Sequence, residues 1–483
     1  HRLTVPGSYT MLNNNTINEL LRITSTGNIN GGANIVTTMN GDLINNGILY
    51  TLGTTTFTGN ILQTLSLINA VQTVAITVNF NGSVSPVLNS TSAPQYGFLN
   101  INNTAGVNAS VGYSILYGLS VGAGASFNAG ASTHNLYGYL NNNGTITSSG
   151  TFNILPATAT NINLGNNFTS TGRVVFGGAG AITMTGSPLS FKNITISNTN
   201  ASGIDPSSDW SLTNTLTVNN GSVFNAGNHT YAIGGSIDNK GVINAGSSMF
   251  KMNGNIPQNI FSASPLYNLS IENNTAPVTL LSNLSVDHVL NFVSAKIVTG
   301  NYKLYQPAAG TVTNASQATG WVYGNLEKEI VTGPAERMFE TGDNLHYAPV
   351  SMVFQNVTAA GNLTVSTTGT EHPLVSLSRI NATRSINRYW KLTNNGISYG
   401  SFDAMVKFPS GDADAGTNTA EMGAGMYDGS NWIVEETAAG TDTSITITGN
   451  TITGDLAIGE GCNKKTAISY NATYFCTSSS PVS

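Results

Sequence analysis

The chain has 483 residues, 40% of them hydrophobic and only 8% charged, with a formal net charge of -6. Disorder needs low hydrophobicity with high net charge, so this chain should fold, and its mild acidity offers no basic stripe for phosphates, which excludes nucleic acid as a partner. Thr, Val, Ile, Asn and Gly dominate over the residues that favour helix surfaces, so strands and tight turns are expected throughout.

From the N-terminus, His1 to Thr10 lacks the basic and apolar regions of a signal peptide, and the chain is taken as mature or excised from a longer one. No apolar run approaches the roughly 18 residues of a membrane-spanning helix, so no transmembrane segment is expected. Thr16-Ile-Asn-Glu19, followed by Leu20 and Leu21, matches a capping box that could open a short helix, with a plain strand as the alternative. Residues 1–20 are accordingly assigned to an N-terminal cap, because the end of a solenoid exposes unpaired strand edges.

Residues 21–306 carry internal repeats. Leu119 to Gly130 reads LSVGAGASFNAG and Leu216 to Gly227 reads LTVNNGSVFNAG. The same offset of about a hundred residues carries Leu140-Asn-Asn-Asn-Gly-Thr-Ile146 onto Ile237-Asp-Asn-Lys-Gly-Val-Ile243, with a weaker copy at Leu43-Ile-Asn-Asn-Gly-Ile-Leu49. A second landmark recurs at Leu99-Asn-Ile-Asn-Asn-Thr104, Ile194-Thr-Ile-Ser-Asn-Thr199 and Leu269-Ser-Ile-Glu-Asn-Asn-Thr275. The middle copy holds extra residues around Asn161 to Thr171, which suits the insertion of one solenoid coil. Short alternating strands between Asn-Gly, Ala-Gly and Gly-Ser turns would bury one side of each strand, and Asn and Gly are expected at corners that need a left-handed backbone. The expected fold is all-β, a right-handed parallel β-helix followed by an antiparallel β-sandwich.

Beyond about Gln306 the repeat fades and charge arrives with Glu327-Lys-Glu329, Glu336, Arg337, Glu340 and Asp343. Residues 307–461 alternate in runs such as Val350-Ser-Met-Val-Phe354, Tyr389-Trp-Lys-Leu392 and Trp432-Ile-Val434, the pattern of a sandwich with Trp390 and Trp432 in its core. Residues 462–483 read as the start of an Ig-like repeat or a linker. Cys462 and Cys476 either form a disulfide in an oxidising compartment or remain buried thiols.

The Leu-x-Val, Phe-Asn-Ala-Gly, Asn-Asn-Gly-x-Ile and Leu-x-Ile-x-Asn landmarks, with Gly324-Asn-Leu-Glu-Lys328 and Arg388-Tyr-Trp-Lys391, resemble repeat regions of giant surface and gliding-motility adhesins of Bacteroidetes. The tail, Ile468-Ser-Tyr470 with Phe475-Cys476 and Pro481-Val482, is similar to the opening strand of the Ig-like repeats in such proteins. The resemblance implies export by the type IX route and display on the cell surface. Its implied partners are surface polysaccharide or a substratum, and outer-membrane anchoring or secretion proteins. It brings no catalytic residues or cofactor, and the sorting domain of type IX cargo is not among the motifs found.

β-Helices also host polysaccharide-cleaving enzymes, which cluster carboxylates with basic residues on one face. The nearest approach here is Asp205 and Asp209 in Gly203-Ile-Asp-Pro-Ser-Ser-Asp-Trp210, residue types that equally form turns. His134, His229 and His288 are scattered without metal-ligand spacing and are expected in solvated turns. Asp412-Ala-Asp414 in a Gly-rich loop suggests calcium but lacks the distal Glu of an EF-hand, so a polar hairpin tip is the simpler expectation. Gly177-Gly-Ala-Gly180 has no following Lys or helix and makes a poor phosphate cradle. No cofactor, catalytic or metal site is assigned. The leading expectation is a non-catalytic structural and adhesive module, and the alternative is a polysaccharide-binding or polysaccharide-degrading β-helix.

Overall fold

The computed structural model describes residues 2–32, 34–51, 53–67, 77–91, 93–187, 189–435 and 440–461. The chain divides into two units, His1–Phe250 and Lys251–Ser483. Among the described residues the regular structure is strand, apart from single 3₁₀ turns at Val375–Leu377, Ser410–Asp412 and Thr419–Glu421. No helix there is long and apolar enough to cross a membrane.

The first unit is a β-solenoid. Each strand pairs in parallel with the strand one coil later: Phe80 faces Ile101, Ile101 faces Val121, and Val121 faces Asn142. Equivalent side chains such as Asn79 and Asn100 are 21 residues apart, and Asn225 and Asn244 are 19 apart, so one coil takes about that length. Period-two alternation puts Leu99, Leu119, Leu140 and Ile162 inward, each directly over the last and fully buried. Aromatic side chains stack inside in the same way. His134 lies between Phe127 and Phe152, and Trp210 touches Phe176, Phe191, Phe224 and Tyr231.

This stacking explains the repeated motifs. Leu119-Ser-Val121 and Leu140-Asn-Asn142 belong to successive coils laid one on the other, as do Leu216-Thr-Val218 and Ile237-Asp-Asn239. The extra residues of the middle copy form a coil of their own. Thr160–Asn163 pairs with Tyr139–Asn142 on one side and Ile182–Thr185 on the other.

The Thr16 to Glu19 capping box does not start a helix. Arg2–Val5, Ser8–Thr10 and Asn15–Ile17 form a coil that pairs with Leu20–Ile23, Asn28–Asn30 and Val36–Met39. Burial of Ile17, Leu21 and Ile23 against the coil interior outweighs a local capping interaction of about 1 kcal/mol.

The second unit also begins with parallel coils, for example Leu266–Ile271 on Leu284–Phe292 and Val278–Leu280 on Ile297–Gln306. Parallel pairing continues past Gln306, because Ile297–Gln306 pairs with Val322–Ile330. The change of architecture falls on that last strand. Its residues Leu326 to Ile330 pair antiparallel with Gly361–Thr368. From there Ile380–Asn395, Asp455–Gly461, Met422–Tyr427 and Trp432–Glu435 follow in one antiparallel sheet. A second antiparallel sheet joins Gly333–Phe339, Val350–Ala359, Phe402–Lys407 and Ser444–Asn450. Cys462, Cys476 and the expected start of an Ig-like repeat at 462–483 lie outside the described residues.

Candidate functional site

Most of the acidic and histidine candidates are held by local partners. Asp205 and Asp209 are exposed; Asp209 accepts from the backbone N–H of Thr230 at 2.9 Å and lies 3.5 Å from His229 Nδ1. Inside the coil, the Tyr231 hydroxyl donates to Ala226 O, and burial, reinforced by Asp209 and Asp205, pushes its pKa up. These two carboxylates therefore border a turn and a buried phenol.

His134 is not a solvated turn residue but a fully buried member of the aromatic stack. Its Nδ1 accepts from the N–H of Tyr113 at 3.2 Å and its Nε2 lies 2.8 Å from Ala129 O, so a neutral ring protonated at Nε2 satisfies both. Burial lowers its pKa, opposed by the bond to Ala129. His288 is exposed as expected, stacked on Tyr267 at 4.7 Å with Nδ1 2.9 Å from Asn268 Oδ1.

Asp412 and Asp414 do not form a free hairpin tip. Asp412 accepts from Nε of the fully buried Arg388 at 2.7 Å, and Asp343 takes Arg388 Nη2 at 2.6 Å. Asp414 accepts from the Ser385 N–H and from Asn387 Nδ2. The two acids thus fasten the loop to the strand Ile380–Asn395, their oxygens accepting from cationic and amide donors. Among the described residues no group of three or more His, Cys, Asp or Glu side chains is disposed to hold a metal ion.

Burial works against the charge on Asp343, yet the N–H groups of Leu345 and His346 and the Arg388 guanidinium hold its carboxyl below the usual value. Nearby, Lys328 and Glu340 form a buried pair at 2.7 Å. Burial pulls the Lys328 ammonium down and pushes the Glu340 carboxyl up against their mutual attraction. Trp390 is fully buried, with Nε1 donating to Ala348 O at 3.0 Å. Trp432 is only half-buried, its Nε1 donating to Leu374 O while its ring meets His372 at 4.9 Å.

The asparagines do more than turn corners. Among the described residues the one non-glycine with a left-handed backbone is Asn314, so at every other such position glycine, not asparagine, supplies that conformation. Asn103, Asn198 and Asn273, the asparagines that follow the Leu-x-Ile-x landmark, are buried wedges between coils. Asn198 Nδ2 donates to the carbonyls of Gly177 and Gly180 one coil below, and its Oδ1 accepts from the Asn200 N–H. Asn103 repeats this with Asn81 O, Val84 O and the Ala105 N–H. The Gly177 to Gly180 stretch is therefore a turn whose carbonyls meet a wedge. In the Asn-Asn-Gly motif the glycine is needed for close approach: a Cβ at Gly144 would lie 2.3 Å from Ala125 O.

One outward feature was not anticipated. Phe98, Gly118 and Tyr139 occupy one column of three successive coils. A Cβ at Gly118 would lie 2.3 Å from the Tyr139 ring, so the missing side chain is what lets Tyr139 lie back toward Phe98, 6.1 Å away. Beside them a register shift sets Leu116 and Tyr117 opposite Gly97 alone, and this bulge turns Tyr117 outward. Tyr117 is 50% exposed and 5.3 Å from Phe98. The neighbouring outward column is Asn100, Ser120 and Asn141. Between Asp42 and Arg173 the sequence contains no Asp, Glu, Lys or Arg at all. The aromatic-glycine pairs Gly97-Phe98, Tyr117-Gly118 and Gly138-Tyr139, recurring at coil spacing, are the signal that could have located this surface.

Compared with family models, with curated proteins and with solved structures, the chain matches none.

Proposed function

We propose that this chain is a non-catalytic structural and adhesive module of a large extracellular bacterial surface protein. Its coils form a right-handed solenoid that extends a stalk or filament, and its two antiparallel sheets close as a sandwich. The observation that carries this reading is where the polar side chains are spent. Asn40 on Asn18, Asn100 on Asn79, Asn128 on Asn108, Asn153 on Asn135 and Asn214 on Asn193 form coil-to-coil hydrogen bonds that any number of stacked coils can repeat. The candidate calcium acids, Asp412 and Asp414, are engaged in fastening a loop. Cell-surface display, type IX export and a part in gliding motility follow from the resemblance to adhesins.

Beads coated with the whole chain should be retained under flow on glass or on polysaccharide-coated glass, and the same preparation should release no reducing sugar from those polysaccharides. Retention no better than that of albumin-coated beads would overturn the adhesive reading. Reducing ends accumulating in proportion to the protein would overturn the non-catalytic one.

A further inference from the structure

We infer that the outward face around Phe98, Tyr117 and Tyr139 is a binding site for an uncharged polysaccharide. The inference rests on the adhesive reading and gives it an address and a class of ligand.

Three rings gathered on one solvent-facing surface present apolar faces that water wets poorly. Such faces suit the axial C–H groups of pyranose rings, whose own edges carry hydroxyls. Hydrogen bonding to those hydroxyls is available in the next column. Asn100 Nδ2 donates to Asn79 Oδ1 at 2.8 Å, and Asn163 Nδ2 donates to Asn141 Oδ1 at 3.1 Å. Asn100 commits one amide hydrogen to Asn79, and Asn141 Oδ1 accepts from Asn163 and, at 3.4 Å, from Asn143, so the second amide hydrogen of Asn100 and the amide hydrogens of Asn141 supply donors in this column. Ser120 adds a hydroxyl between the two asparagines.

The bulge at Tyr117 and the side-chain-free position at Gly118 are local departures from regular coil geometry, and both act to assemble the rings. A bulge that re-aims a side chain is a feature of sites more than of plain scaffolding. The charge-free sequence from Leu43 to Gly172 then selects the ligand. A uronate or sulfated chain would gain no cationic partner there and would lose solvation of its own charges, whereas a neutral glycan loses little.

Affinity electrophoresis of the whole chain in gels cast with laminarin, hydroxyethyl cellulose, mannan or xylan tests the inference, with polygalacturonate as the charged control. At least one neutral gel should retard the chain and polygalacturonate should not. Tyr117→Ala should weaken that binding roughly tenfold, as expected for the loss of one stacked aromatic contact, with an unchanged circular dichroism melt. Asn141→Asp, which places a charge in the column, should weaken it as well.

Retardation that survives a Tyr117→Ala, Tyr139→Ala double variant with native spectra would overturn the inference. So would equal mobility in all four neutral gels and a blank gel. Concentration-dependent dimerisation that Tyr117→Ala abolishes, without glycan binding, would assign the face to a second copy of the chain instead. In each of these cases bead retention under flow still decides the adhesive reading separately.

Discussion

The coils of His1–Phe250 and the antiparallel sheets of Lys251–Ser483 face the same physical problem and solve it with different groups. Both must satisfy polar atoms taken out of water, because an unpaired buried donor or acceptor costs about 1–3 kcal/mol. The coils use neutral amides, and asparagine wedges such as Asn198 join one turn to the next. The sheets use charges, with Arg388 between Asp343 and Asp412 and Lys328 against Glu340. The difference follows from repetition. A like charge in every coil would repel its neighbours about 4.8 Å above and below, whereas stacked amides bond to one another. A sheet that occurs once can hold a single, specific ion pair.

The sharpest way to break this comparison is to remove one charge from the sheets. Arg388→Met leaves Asp343 and Asp412 without their buried cation and should destabilise the antiparallel region by about 3–5 kcal/mol. Urea unfolding followed at Trp321, Trp390 and Trp432 reports this region in a Trp210→Phe background. The N–H groups of Leu345 and His346, with the Arg388 guanidinium, also set an acid response. Because the Asp343 carboxyl sits below its ordinary value of 3.8, its contribution is present above that pH and is lost as pH falls through the lower folded value.

Removing a neutral wedge should cost less. Asn198→Ala strips partners from the carbonyls of Gly177 and Gly180 and should lower coil stability by about 3 kcal/mol, read as a shifted urea midpoint of Trp210 fluorescence. Unlike the Arg388 variant, its effect should not vary with salt, since no ion pair is lost.

Smaller again is the effect of crowding the coil contact. Gly144→Ala forces a Cβ against Ala125 O and should cost about 1–3 kcal/mol in the same assay. Gly124→Ala meets open space and should cost only about 1 kcal/mol, for its left-handed φ of 75°. A cost at Gly144 no larger than at Gly124 would show that close approach to Ala125 O is not what requires glycine at Gly144.

The smallest effect concerns pH in the coils. The folded pKa of His134 is depressed below 6.5, so the coils gain stability from its neutral form above that pH and lose it as pH falls through the folded value. His134→Gln should remove the slope of coil stability against pH in that window, whatever it does to stability at neutral pH. A slope that persists would mean another group carries it.

Much of the coil architecture was legible because a solenoid writes the same instruction many times. Leu119-Ser-Val121 over Leu140-Asn-Asn142 shows both the inward alternation and the stacking in the residues themselves. The capping box at Thr16 misled because a four-residue motif reports only local preference, while Ile17 is committed by the coil it helps to cover. Of the candidate sites, Asp412 and Asp414 were visible but not their partners, since Arg388 for Asp412 and Ser385 and Asn387 for Asp414 lie on a strand more than twenty residues earlier and nothing in the spacing joins them.

By itself, then, the sequence determined an all-β chain, a repeating coil and a change of module where charge appears, because composition and period act locally and recur. The tertiary structure alone decided that parallel pairing runs on to Val322–Ile330, that His134 is buried, and that Phe98, Tyr117 and Tyr139 share one outward face. Those outcomes depend on which residues lie across a coil from one another. That register is set by the fit of whole turns, through bulges and vacant glycine positions that no short stretch of sequence contains.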